Sequence, residues 1–266
     1  MRLESVKLVF FSPTKTTRAV AQSIAEGIDL GAVERIDITR PGGRRQPLRM
    51  TENELLIVAV PVYMGRVPAL PGAWLDALRA HDTPAVCVVV YGNRAYDNAL
   101  LELKDIVRSR GCVPVACAAC VGEHSYADPG APIALGRPDE ADLGRNTAFG
   151  RRVREKLQSI AAISEVADVQ VPGSYPYGGI TELWDVDFIA VDDRCLQCGA
   201  CAEACPSGAI DPLDSRLIDQ KKCITCCACI KSCPQGARAM KPGPVKDAQQ
   251  RLITLHRDPK QAEYFL

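Results

Sequence analysis

Five short apolar runs alternate with stretches of helical spacing over the first 165 residues of the chain. The run at residues 55–62 is apolar throughout, as expected of a strand that helices cover on both faces. Helical spacing follows the runs, for example at residues 97–110 and 141–162. This alternation predicts an α/β fold with a doubly wound, five-stranded parallel sheet. We place the strands at residues 6–11, 33–39, 55–62, 85–91 and 112–121.

The turn after the first predicted strand, SPTKTT, is rich in hydroxyl groups and precedes a helix. A helix N-terminus carries unpaired N–H groups and positive potential, so it favours a phosphate. Ordinary N-capping needs one hydroxyl residue, whereas this turn offers four. The turn lacks the glycines of a Walker A motif. We expect a phosphate here, and the side chain of Lys15 either contacts it or points into water. The candidate residues are Ser12, Thr14, Lys15, Thr16 and Thr17.

Two further loops follow predicted strands at the sheet edge where doubly wound folds bind ligands. They carry PVYMG and YGNRAYD, which combine aromatic, glycine and amide groups. That combination suits a flat conjugated ring with polar edges, and the alternative is packing of the tyrosines at strand ends. His124 follows the fifth run on the same edge. It is a candidate proton donor or an ordinary loop histidine.

A doubled cysteine pattern, C-x-x-C-x-x-C-x-x-x-C-P, begins at Cys195 and again at Cys223. Iron–sulfur clusters are held by four cysteine thiolates, and three at three-residue steps suit one side of a cubane cluster. Zinc is the alternative, but zinc sites usually join two C-x-x-C pairs across a longer loop. Cys227 stands beside Cys226, where the first copy has Gly199. We expect a small buried thiol there, and the alternatives are a spare ligand or a redox-responsive thiol.

The doubled pattern resembles the bacterial two-[4Fe–4S] ferredoxin domain over about residues 190–240. In those ferredoxins the last cysteine of each run binds the other cluster. The resemblance therefore implies two clusters with crossed ligand sets. The first set is Cys195, Cys198, Cys201 and Cys233, and the second is Cys223, Cys226, Cys229 and Cys205.

Residues 1–165 resemble a flavodoxin, and PVYMGRVP and VYGNRAYDNALLELKD resemble loops of flavodoxin–ferredoxin fusion proteins. The resemblance then extends over nearly the whole chain. It implies FMN, with its phosphate on residues 12–17, although Lys15 stands where flavodoxins commonly have glycine. It also implies that two loops flank the isoalloxazine ring. These loops contain Pro61, Val62, Tyr63, Met64, Gly65, Tyr91, Gly92, Asn93, Arg94, Ala95, Tyr96 and Asp97.

We divide the chain into a flavodoxin-like FMN domain at 1–165, a linker at 166–189, a small α+β dicluster ferredoxin domain at 190–240, and a tail at 241–266. The aromatic end of the tail is expected to dock on one of the domains. Trp184 and Phe188 are expected to pack the two domains together. The basic loop at 41–50 is expected to be solvated.

Composition narrows the setting of the protein. The formal net charge is zero, which gives no overall field for nucleic acid. No apolar run approaches the ~20 residues of a membrane span, and the N-terminus lacks signal-peptide anatomy. Thirteen cysteines without such a signal suit a reducing compartment. We expect a cytoplasmic protein with redox protein partners, and the sequence leaves a homodimer open.

FMN exchanges one or two electrons and a [4Fe–4S] cluster exchanges one, so their combination favours an oxidoreductase or electron carrier. We expect electron transfer between two [4Fe–4S] clusters and FMN, coupling one-electron carriers to a two-electron acceptor or donor. One alternative is an FMN-dependent reductase with its own organic substrate, which a closed pocket over the flavin would favour. Another is a redox sensor or a zinc-bearing interaction module.

Overall fold

A computed structural model of the chain describes residues 3–179 and 185–266. The strands of its larger domain are β1 (Ser5–Phe10), β2 (Val33–Asp37), β3 (Glu54–Pro61), β4 (Thr83–Tyr91) and β5 (Cys112–Val121). They are parallel and lie in the order β2-β1-β3-β4-β5. This is the flavodoxin-like order of doubly wound sheets. The predicted fold class is confirmed.

Helices cover both faces of this sheet. They are α1 (Thr16–Ile28), α2 (Ala69–Leu75), α3 (Ala99–Ser109) and α4 (Glu140–Ser159). α1 and α4 bury Ile24 and Phe149 on one face, and α2 and α3 bury Leu75 and Leu103 on the other. Burying each such side chain stabilises the fold by about 1.5–3 kcal/mol. With both faces covered, the carboxyl ends of the strands remain free to bind a ligand.

A sixth strand corrects the predicted five-stranded sheet. It is formed near the end of the chain by Glu263–Phe265, which pairs antiparallel with β5. Neighbouring residues of a strand point to opposite faces. Accordingly, Tyr264 stacks on Phe149 with ring centroids 4.7 Å apart, and Phe265 packs into the other core. This alternation of aromatic side chains explains why so short a segment can extend the sheet.

The smaller domain repeats one unit twice. Its elements are β6 (Ile189–Val191), α5 (Ala200–Ala204), α6 (Ala228–Lys231) and β7 (Arg238–Met240), followed by α7 (Pro244–Leu255) and the sixth sheet strand, β8. β6 and β7 form an antiparallel pair. Gly199 (φ +75°) and Cys227 (φ +56°) both precede a short helix in left-handed conformation. The two copies of the cysteine pattern therefore share this backbone conformation as well as their sequence spacing. Within the described residues, no helix has the length and apolar character to cross a membrane.

The basic loop at 41–50 contacts the smaller domain, which corrects the expectation that it is simply solvated. Arg44 donates from Nη2 to the carbonyl oxygen of Pro206 at 2.6 Å, and Arg40 forms an ion pair with Glu203 at 2.7 Å. Arg44 also donates to the carbonyl of Ile38 within its own domain. These carbonyl acceptors carry no charge, so the charge pattern of the sequence gives no sign of them.

The segment between the domains packs on the larger one as far as it is described. Val169 is buried in the core beside α3, and Asp168 pairs with Lys104 at 3.1 Å. Tyr177 donates to Asp105 at 2.7 Å. Farther along, Phe188 packs with Tyr126 of the larger domain in an apolar cluster that also contains Cys227. Trp184, expected to assist this packing, lies outside the described residues.

Candidate functional site

A cavity of about 670 Å³ opens at the carboxyl ends of the central strands. We call it the interdomain cavity because residues of both domains and of α7 form its walls. Turns after β1, β3, β4 and β5 form the first wall, and Ile224 and Thr225 of the second cysteine copy form part of the second. The third wall is α7, through Arg251 and Leu252. The volume lies in the range of ligand and cofactor sites.

The hydroxyl-rich turn meets this cavity through Thr14, Thr16 and Thr17. Ser12 lies behind them and is buried. Its N–H donates to Oγ1 of Thr39 at 2.8 Å, and its Oγ accepts from the N–H of Arg18 at 3.0 Å. Ser12 therefore secures the first turn of α1, whereas the threonines face the cavity.

Lys15 precedes α1 with φ +73°, a left-handed conformation. Glycine adopts that conformation at least cost, which gives a physical reason for a glycine at this position in flavodoxins. Lys15 is not among the residues that line the cavity in the described part of the chain. A contact between its side chain and a phosphate therefore remains a prediction.

The two loops predicted to flank a flat ring contribute unequally to the cavity. Its lining contains Pro61, Val62, Tyr63, Met64, Tyr91, Gly92 and Arg94, but not Gly65, Asn93, Ala95, Tyr96 or Asp97. Asn93 instead donates to the carbonyls of His256 (2.8 Å) and Asp258 (3.1 Å), and Tyr96 donates to Glu263 at 2.9 Å. Asn93 and Tyr96 therefore hold the C-terminal segment against the sheet.

His124 lines the cavity beside these loops. Its Nδ1 accepts a hydrogen bond from the N–H of Tyr126 at 3.0 Å, so Nε2 carries the proton of the neutral ring. Burial, assisted by the charges of Lys231 and Arg94, lowers the pKa of His124 to about 4. The imidazole is therefore neutral at pH 7 and can donate a hydrogen bond only through Nε2–H.

Tyr63 and Tyr126 line the cavity near the second cysteine copy. Both line the cavity, and both lie close to the thiols of Cys226 and Cys227. Burial and these thiols raise the pKa of Tyr63 well above its usual range, and burial also raises the pKa of Tyr126. The hydroxyl of Tyr126 forms a hydrogen bond with Thr225. Two neutral aromatic rings thus lie near both the cavity and these cysteines.

The predicted crossed groups of cysteines come together in space. We call the first group the outer site, and its four members line one small cavity. We call the second group the inner site: Cys205 lies within electrostatic reach of Cys223, Cys226 and Cys229. The outer site contains Cys195, Cys198, Cys201 and Cys233. Each site therefore draws three cysteines from one copy and one from the other.

Burial disfavours the thiolate form of the cysteines at the inner site. Burial raises the pKa of Cys226 well above its usual range and that of Cys229 to about 12. Metal ligation requires the thiolate, so the metal must supply the compensating charge. In both copies a backbone N–H donates to sulfur at 3.3 Å, from Ala209 to Cys205 and from Ala237 to Cys233. Such donors to sulfur are typical of iron–sulfur sites.

The number and spacing of the cysteines favour a [4Fe–4S] cluster over a single zinc ion. Zinc sites usually join two C-x-x-C pairs across a longer loop, whereas each copy here places four cysteines within eleven residues. A cubane cluster needs four thiolates, and four cysteines line the small cavity of the outer site. The residues present therefore fit a [4Fe–4S] cluster.

Cys227 is 2% exposed and lies beside the inner site, packed with Phe188 and Val245. Its Sγ is 3.8 Å from the carbonyl oxygen of Thr225. Burial raises the pKa of this thiol well above its usual range. These contacts suit the prediction of a small buried thiol.

Sequence reasoning missed several residues of the site. Ile224, Thr225, Tyr126 and the α7 residues line the cavity, yet they are distant in sequence from its phosphate turn. The apolar spacing of α7 predicts a helix but not its position over the cavity. Arg238 also lines the outer site, and only a residue-by-residue comparison of the two cysteine copies draws attention to it.

Comparison with known proteins gives one family match, to the 4Fe-4S binding domain at residues 189–211. No curated protein matches the chain. Among similar solved structures, a flavodoxin from the domain Archaea is 18% identical, covers 58% of this chain and 99% of its own, and has a TM-score of 0.40. For a Streptococcus pneumoniae TIGR4 flavodoxin the values are 20%, 57%, 99% and 0.40. For a Fusobacterium nucleatum flavodoxin bound to flavin mononucleotide they are 17%, 59%, 96% and 0.37.

The chain therefore joins a domain with flavodoxin-type strand order to a segment that matches a 4Fe-4S binding domain. This combination is that of a redox protein that transfers electrons. It is consistent with a flavodoxin–ferredoxin fusion, as the resemblance of both halves predicts.

Proposed function

We propose that this protein transfers electrons between two [4Fe–4S] clusters and FMN, and so couples one-electron carriers to a two-electron acceptor or donor. The main support is a shared wall. Ile224 and Thr225 lie between two ligands of the inner site, Cys223 and Cys226, and they also line the interdomain cavity. A ring bound in that cavity and a cluster in the inner site would therefore be separated by a few side chains.

In this proposal FMN occupies the interdomain cavity, where it supplies the exchange of one or two electrons. Thr14, Thr16 and Thr17 bind its phosphate at the N-terminus of α1, where unpaired N–H groups favour an anion. Tyr63 and Tyr91 contact the ring, as part of a cavity wall that is mostly apolar. The residues present fit the cofactor because an anion site and an aromatic wall occur in one cavity.

The positions of the two sulfur sites suggest an order. The inner site adjoins the interdomain cavity, whereas the outer site includes Cys198, which is exposed. Because electron transfer needs short distances, we propose that partners exchange electrons at the outer site. The inner site then connects the outer site with the cavity.

The surface beside the outer site suits a basic protein partner. Three leucines of the first cysteine copy and the segment after it are exposed: Leu196, which lines the outer site, Leu213 and Leu217 are 69%, 93% and 59% exposed. Residues 192–219 contain six carboxylates and two arginines. Three of the carboxylates pair with Arg194, Arg40 and Lys222, and three form no ion pair among the described residues: Asp193, Asp211 and Asp214. An apolar centre with an acidic surround favours a partner with the reverse charge, and such complementarity mainly raises the association rate.

The experiment that tests this function is anaerobic purification followed by iron, sulfide, zinc and flavin analysis with a visible spectrum. We expect about eight iron, about eight sulfide and one FMN per chain. Zinc in place of iron would contradict the proposal, and iron without flavin would leave only the ferredoxin half. Stopped-flow absorbance then tests the internal route, since reduced clusters that fail to reduce the flavin would contradict it.

One observation favours an FMN-dependent reductase with its own organic substrate. α7 covers part of the cavity, and neutral His124 offers Nε2–H within it. Such a site could orient a substrate carbonyl or similar acceptor. Turnover of a small organic acceptor by the reduced protein, lost in His124→Ala but retained in His124→Gln, would support this alternative.

A further inference from the structure

Arg238 is a buried cation beside the outer site. It is 4% exposed and belongs to β7, directly after Ala237, whose N–H donates to the sulfur of Cys233. It lines the small cavity of the outer site. The guanidinium therefore lies in the wall of the outer site, and no contact of the described residues places it against the inner one.

Among the described residues, no Asp or Glu lies within ion-pair distance of the Arg238 guanidinium. Its Nη2 donates to the carbonyl oxygen of Ser215, and its Nη1 is buried without a hydrogen-bond partner. A buried unpaired charge is costly unless another charge compensates it. The charges available beside it are the thiolates of the sulfur sites and the clusters they would hold.

The cysteine repeat provides an internal comparison. The residue in the first copy that corresponds to Arg238 is Ile210, which follows Ala209 as Arg238 follows Ala237. Ile210 is buried and packs with Cys201 and Cys205. The two halves therefore match in cysteine spacing and in the N–H···S bond but differ by one buried charge. That charge lies in the cavity wall of the outer site.

We infer that Arg238 separates the reduction potentials of the two clusters by stabilising the reduced, more negative state of the outer cluster more than that of the inner one. An added electron makes a cluster more negative, and a nearby fixed cation lowers the free energy of that state. The effect is strong in a buried site because solvent screens it little. The outer cluster then receives an electron from a partner more readily. This inference rests on the proposed two-cluster function.

The test is an anaerobic redox titration of the full protein, followed by electron paramagnetic resonance, with iron analysis of every sample. Arg238→Gln removes the charge but retains an N–H donor for Ser215. Arg238→Lys retains the charge, and Ile210→Val is the matched control in the other half. We expect two resolved potentials in the unchanged protein. In Arg238→Gln the higher of the two potentials, that of the outer cluster, should fall. We expect the ratio in which the two clusters share an electron to change at least tenfold, which is 59 mV for a one-electron couple.

Two outcomes support the inference: the gap between the potentials narrows in Arg238→Gln, and it persists in Arg238→Lys and Ile210→Val. An unchanged gap in a fully loaded Arg238→Gln protein overturns it. One potential shared by both clusters in the unchanged protein also overturns it, and that measurement needs no variant to fold. Fewer than two clusters in the unchanged protein is a separate result, because it would contradict the proposed function itself.

Discussion

The outer and inner sites have the same cysteine spacing but different surroundings. In the outer site Cys198 is exposed, and its neighbour Leu196 faces solvent. In the inner site Cys226 is buried, and the residues between Cys223 and Cys226 form a wall of the interdomain cavity. The larger domain and α7 cover the loop between Cys223 and Cys226, whereas the corresponding loop at Leu196 faces solvent. Local sequence therefore sets the spacing of the cysteines, and tertiary packing determines what surrounds each site.

The largest effect is expected when the inner site loses a ligand. Cys226→Ser should lose about four of the eight iron atoms, because a cubane cluster needs its four thiolates. Cys227→Ser is the matched control at the adjacent position and should keep all of its iron. The measurement is iron and sulfide analysis after anaerobic purification. Loss of iron in Cys227→Ser alone would make Cys227 the ligand.

The stability of the protein should depend on pH through His124, which lines the interdomain cavity on the side of the inner site. His124 has a pKa of about 4 in the folded protein and about 6.5 when unfolded. The unfolded chain therefore binds the proton more readily, so the contribution of His124 to stability is present above pH 6.5 and is lost as the pH falls towards 4. The difference between the folded and unfolded pKa values of His124 corresponds to about 3 kcal/mol in the free energy of unfolding.

His124→Gln removes this titration while keeping a polar side chain. Thermal unfolding of both loaded proteins between pH 7.5 and pH 5 should show the unchanged protein losing stability faster than the variant. His81→Gln is the control, since His81 is an exposed histidine outside the cavity. Parallel curves for His124→Gln and the unchanged protein would contradict a neutral, buried His124.

A smaller effect is expected from the contact that joins α6, beside the inner site, to the larger domain. Lys231 of α6 pairs with Glu123 and donates to the carbonyl of Ala127 at 2.6 Å. Lys231→Met should lower the free energy of unfolding by about 1–3 kcal/mol, since it leaves polar partners partly buried and unpaired. Lys246→Met removes a more exposed pair with Asp128 at 3.7 Å and should cost less than about 1 kcal/mol. Equal losses would contradict a special role for Lys231.

The features that could be predicted from sequence are those set by local pattern. Buried strands need apolar runs, and a cluster loop needs cysteines at close spacing, so the parallel sheet and the cysteine groups follow from short segments. Asn93 and Tyr96 show the limit of that reasoning. Their loop adjoins the cavity, but their side chains bond the C-terminal segment, more than 160 residues away. The position of α7 and the role of Arg44 depend on similar distant contacts with backbone carbonyls.

The smallest effect is expected at the open side of the comparison. Leu213 is 93% exposed beside the outer site, so Leu213→Ser should leave stability and iron content nearly unchanged. If a basic partner docks there, the rate of electron exchange with a basic one-electron carrier protein should fall about fivefold, which corresponds to about 1 kcal/mol. Exchange with a small neutral mediator should not change. Leu135→Ser, at another exposed leucine, is the control. A decrease that is the same for both leucines, or the same for carrier and mediator, would show that partners do not use this surface.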